Sequence, residues 1–149
     1  MLPREPLPIN HSWPLFERDA RFDHGMTFDL KALAEAQLGS GPAHVPPVGH
    51  WSCDLRDQSL SWTDAVYDIF GLPRGAPVKR SESVALYSEP SRAVMERLRA
   101  YAIRHRRGFT LDVALRPASG GTRWMRLIAA PVCVGREVIR LEGIKRALD

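Results

Sequence analysis

Cysteine is scarce in this 149-residue chain, where Cys53 and Cys133 are the only two. A disulfide framework needs more of them at closer spacing, and no Cys-x-x-Cys pair exists to nucleate a structural zinc site. Both lie in apolar, strand-like stretches and read as reduced, buried thiols. Long hydrophobic runs are also missing, since nothing approaches the ~20 residues that a membrane helix requires. The opening "MLPREPLPINHSWPLFERD" lacks the basic-then-apolar order of a secretory signal, so the cytoplasm is the expected compartment. The five histidines, His11, His24, His44, His50 and His105, have no metal-like spacing, and none forms a recognisable nucleophile–base pair. No metal site and no enzymatic activity are expected.

What is present is enough apolar residue, 44%, for a real core and enough charge, 26%, for a soluble surface. The charge is uneven: residues 1–48 hold four Lys/Arg against six Asp/Glu, giving −2, and residues 49–149 hold seventeen against eleven, giving +6. Fifteen of those seventeen are arginine. Such a balance suits an acidic partner or nucleic acid, and equally a solvated surface.

Residues 1–26, with Pro3, Pro6, Pro8 and Pro14, show no sustained periodicity and read as an irregular arm. A short amphipathic helix is predicted over about 28–38. Leu30, Leu33, Ala34 and Leu38 share one face beside Phe28, and Gly39 or Gly41 ends it. Pro42, Pro46 and Pro47 follow as a stiff linker, so residues 1–47 form an extension and 48–149 the main domain. An isolated helix this short is marginal, and its apolar stripe must bury against something.

In the main domain "HWSCDL" alternates, with Trp51, Cys53 and Leu55 on one side. "RDQS" is turn chemistry, "LSW" a second strand, and "TDAVYDIFG" a helix with Thr63 at its N-cap and Gly71 at its end. "SESVALYSEP" reads as a short helix capped by Ser81 or Ser83 and ended before Pro90. The longest helix lies in "SRAVMERLRAYAIRHRRG", with an inner stripe of Val94, Leu98, Tyr101, Ala102 and His105. Three strands follow: "FTLDVALR", then "RWMRLIAAPVCV" after a Gly120-Gly121 turn, then "VIRLEGIKRAL". The order β-β-α-α-α-β-β-β predicts an α+β domain with an antiparallel sheet.

Four of these pieces, in this order, resemble the PAS domain, specifically its fold-3 subtype, over roughly Val48 to Ile144. They are "GHWSCDL", "LSWTDAVYDIFGLPRG", "FTLDVALRPASGGTRWMRL" and "VIRLEGIKRALD". The resemblance implies a five-stranded antiparallel sheet with helices on one face around a central cavity. It implies a sensor and dimerisation module that regulates a partner signalling or transcription protein. Two departures stand out. "YSEPSR" replaces the family's His-Pro-x-Asp segment, and "IKRALD" stands where an Asp-Ile-Thr-type coupling motif leads to an effector domain. Output is therefore expected through binding another protein or through self-assembly.

No cofactor is expected. The flavin-binding branch of the family carries its cysteine in an Asn-Cys-Arg-Phe-Leu-Gln type segment, absent here. His105, near the place of a haem ligand, reads as a dipole-compensating residue at a helix C-terminus. The cavity-lining candidates are Trp51, Cys53, Trp62, Val66, Tyr67, Phe70, Leu86, Leu98, Tyr101, Phe109, Leu111, Val113, Trp124 and Leu127. They either fill the cup or line a small apolar pocket. Phe28, Leu30, Leu33, Ala34 and Leu38 are the candidates for a homodimer interface. The alternative function is a nucleic-acid-associated regulator that uses the arginine-rich helix 91–107.

Overall fold

The computed structural model describes residues 11–22 and 48–148. The predicted helix at 28–38, its Phe28, Leu30, Leu33, Ala34 and Leu38 stripe, and the proline linker lie outside the described residues. Six strands form one antiparallel sheet in the order β1-β4-β5-β6-β2-β3. They are β1 (His11–Pro14), β2 (Val48–Asp54), β3 (Leu60–Trp62), β4 (Arg107–Leu115), β5 (Arg123–Val134) and β6 (Glu137–Ala147). A helical segment over residues 18–22, α1, follows β1. The other helices are α2 (Asp64–Phe70), α3 (Arg80–Val84) and α4 (Glu89–His105), all between β3 and β4.

The α+β order and antiparallel sheet match the sequence reading, with one strand more than the five expected. That strand, β1, comes from the proline-rich arm read as irregular. It pairs with β4, Trp13 standing opposite Gly108 and Ser12 opposite Phe109. Four residues, the last of them Pro14, carry no period of their own, and the strand exists because β4 offers an edge.

Alternation divides the sheet into two faces. Trp51 and Cys53, Phe109 to Leu115 in steps of two, Met125, Leu127 and Ala129, and Leu141 point to the helices and form the main core with Val66, Ile69, Phe70, Met95 and Ala102. The other face carries Thr110, Ile128, Ala130 and Ile144, and Trp13 closes over it, 1% exposed. The Trp13 indole Nε1–H donates to Thr110 Oγ1 at 3.0 Å. Gly108 lets that ring lie flat on the strand, since a Cβ there would run into it.

Helix ends differ in detail from the sequence reading. Gly71 closes α2 in the left-handed conformation, φ +68°, which glycine adopts without strain. Thr63 holds the N-cap position of α2, but its hydroxyl accepts the His50 backbone N–H at 3.0 Å instead of capping the helix. Helix α3 begins at Arg80, not at Ser81 or Ser83, and Glu82 accepts the Lys79 backbone N–H at 3.1 Å. Pro90 does not end a helix. It sits in the first turn of α4, where a missing N–H costs nothing.

Candidate functional site

The aromatic stretch from β2 to α2 builds one wall of the cup. The Trp62 ring stacks on Phe70 at 4.8 Å between centroids and meets Tyr67 edge-on at 5.2 Å. Tyr67 is fixed by its hydroxyl, which donates to the Ala76 carbonyl at 2.8 Å. These rings surround a cation that the sequence reading does not single out. Lys145 of β6 is 6% exposed, and its Nζ lies 5.1 Å from the Trp51 ring centre, 5.5 Å from Trp62 and 4.8 Å from Phe70. Burial pulls the lysine down from 10.5 to about 7; neighbouring Cys53 opposes the shift and Arg80 adds to it.

Lysine is placed there by strand parity. Leu141, Gly143, Lys145 and Ala147 alternate toward the helices, and the register sets Lys145 opposite Gly49 on β2 and Leu127 on β5. Gly143 has no room for a side chain, because a Cβ would collide with the Ile128 carbonyl oxygen. The three strands therefore sit close beside the lysine. The period-2 signal was available in "LEGIKRAL", and only the habit of placing lysine in solvent hides it.

A cavity of about 40 Å³ opens beside Lys145. Of the fourteen cavity candidates, Trp51, Cys53, Phe109 and Leu127 line it. Val66, Phe70, Leu111 and Val113 are buried in the core, and Trp62, Leu86 and Leu98 pack partly buried against it. Tyr67 is half-buried at the edge of Trp62. Two candidates do not face the cup. Tyr101 is 46% exposed and lies against His105, ring centres 4.3 Å apart. The inner stripe of α4 takes in Met95 beside Val94, Leu98 and Ala102 of the predicted stripe, and Tyr101 and His105 turn outward. Trp124 and Leu127 are three positions apart, so the two occupy opposite faces of β5. Its register partner is Ala114, on the outer side of β4.

The polar part of the lining is Arg80, Ser83, Tyr87, Arg99 and Lys145, with no carboxylate. Burial raises the Tyr87 phenol above its ordinary value, so it stays a proton donor. Arg80 pairs with Glu96, and Arg99 donates to Gln58 Oε1 at 2.7 Å. An open cleft of about 880 Å³ adjoins this cavity and shares Leu60, Arg80 and Arg99.

The cavity beside Lys145 is smaller than a site for a flavin or a haem. Sites for molecules of that size enclose about 300–1,000 Å³, against the 40 Å³ found here. Cys53 is on β2, His105 is exposed, and Cys133 is half-buried on β5. Among the described residues no cluster of His, Cys, Asp and Glu is arranged to hold a metal ion. Of the arginines predicted on helix 91–107, Arg99 is bound to Gln58, whereas Arg107 lies past the end of α4, at the start of β4, and donates to Ser12 Oγ at 2.8 Å. Among the described residues no helix is long and apolar enough to cross a membrane.

No protein-family model matches the sequence, and no curated protein is significantly similar to it. Solved structures are similar. A domain of a light and redox sensing histidine kinase from Haloarcula marismortui, itself assigned by inference, aligns with a TM-score of 0.61 at 14% identity, over 80% of this chain and 97% of that one. A LOV domain of the blue-light activated histidine kinase of Erythrobacter litoralis aligns with a TM-score of 0.54 at 23% identity, over 68% and 96%. An RNA-binding light-oxygen-voltage receptor aligns with a TM-score of 0.61 at 14% identity over 68% of this chain, which spans only 29% of that receptor. The sheet order, the helices gathered on one face and these alignments define the class: this chain has the PAS fold.

Proposed function

We propose that the chain is a cytoplasmic, non-enzymatic PAS sensor and interaction module, which dimerises and regulates a partner signalling or transcription protein. The observation that carries this reading is the two-faced sheet. One face encloses a small, partly polar cavity, and the other is covered by residues 11–22, the start of the same N-terminal extension. Arg18 of α1 pairs with Glu142 of β6, three residues from Lys145, so cup and extension share a strand. A change in the cup that shifts β6 is felt by the extension. Phe16, 87% exposed beside β1, adds an apolar group to that outer surface.

Light scattering on the full chain tests assembly. A dimer that becomes a monomer with Leu33→Asp or Phe16→Asp, with tryptophan fluorescence unchanged, is the expected result. A monomer at every concentration, or a dimer indifferent to both substitutions, contradicts the proposed interface.

A further inference from the structure

We propose that the cavity beside Lys145 is a binding site for a small monocarboxylate anion of the size of formate or acetate. Lys145 is 94% removed from solvent, given its 6% exposure, and makes no hydrogen bond or ion pair with the described residues. A buried ammonium without a counterion is costly, and a buried anion beside it offsets that cost only when both are well held. The holding groups are present. Arg80, Tyr87 and Arg99 line the same cavity as donors, the Ser83 hydroxyl beside them being committed to the Arg80 carbonyl at 2.9 Å, and no carboxylate competes for the amine there.

Size and polarity narrow the ligand further. At ~10–15 Å³ per water-sized atom, 40 Å³ accommodates about three or four non-hydrogen atoms. That matches formate and acetate, whereas the chain of butyrate or the second charge of a dicarboxylate would extend beyond the cavity toward the adjoining cleft. Met95, Phe109, Leu127 and Leu141, which also line the cavity, are apolar and suit a methyl group better than a second charge. The approach is basic as well. Lys79, Arg80 and Arg99 line the adjoining cleft against a single carboxylate, Asp57, which favours entry of an anion.

Three aromatic faces hold the ammonium in place, so the anion meets a fixed charge instead of a mobile one. The titratable and charged groups that face the amine are Cys53 from β2 and Arg80 from α3, with Tyr87 and Arg99 on the cavity wall. Burial holds the free amine near pH 7, and the anion needs its protonated form. Affinity is therefore flat below neutrality and falls about tenfold for each pH unit above it.

This site deepens the sensory reading and rests on it only for its purpose. Thermal unfolding of the full chain at pH 6.5 is measured against sodium formate, acetate and butyrate, acetamide, and sodium chloride at matched ionic strength. Formate or acetate is expected to raise the midpoint saturably, whereas butyrate, acetamide and chloride do not. Lys145→Met should abolish the response, and Arg80→Gln should weaken it. Equal effects of acetate and chloride, or an acetate response that survives in Lys145→Met, would overturn the site. Acetate binding by a chain that is always monomeric removes the dimer and leaves the site standing. A dimer indifferent to acetate does the reverse.

Discussion

An ammonium taken out of water loses more hydration than three ring faces return, so Lys145 lowers the stability of the fold while it shapes the cup. The sign follows from its titration. Unfolded, the group binds its proton up to about pH 10.5; folded, only up to about 7. Below neutrality both states are protonated and the penalty is present in full. Between pH 7 and 10.5 the unfolded state holds more protons, so the contribution of Lys145 becomes less unfavourable as pH rises. Lys145→Met fills the same volume without the charge. It is expected to gain about 1–4 kcal/mol at pH 6, and to remove that upward trend from urea unfolding measured between pH 6 and 10. A variant less stable than the parent at pH 6 would show that the ammonium is better compensated than its surroundings indicate.

Elements differ in how much of them a sequence carries. Strands β2, β4, β5 and β6 are legible because each alternates over six or more residues, and α2 is legible from its cap position and its closing glycine. Strand β1 is not, because its reason for existing lies about 100 residues away in β4: the Trp13–Thr110 hydrogen bond spans 97 positions. The phase of α4 is equally tertiary. Of the predicted stripe Val94, Leu98 and Ala102 pack inward, but Met95 joins them while Tyr101 and His105 turn out, and only packing against β4 decides that. Lys145 is hidden for a different reason, since composition assigns lysine to solvent and only register brings it inside. At this scale the testable element is β1. Trp13→Ala removes a fully buried ring and an indole hydrogen bond, and should cost about 3–5 kcal/mol in urea unfolding. A cost under about 1 kcal/mol would mean that residues 11–22 do not close the outer face.

The whole molecule is a single sheet read from both sides. Inner residues of β6 line the cup, while its outer residues face the N-terminal segment: Ile144 packs with Trp13, and Glu142 pairs with Arg18. One-residue steps along the strand thus separate the cavity from the surface proposed to contact a partner. Coupling across so short a distance needs no relay, only a strand that takes two positions. Hydrogen exchange over residues 11–22 and 137–147 tests that link, by comparing the full chain with its Lys145→Met variant at pH 6.5. Changed protection in both segments, with β2 and β3 less affected than β6, is the predicted result. Unchanged exchange in residues 11–22, with β6 altered, would contradict a sensor that reports the state of its cup on the outer face.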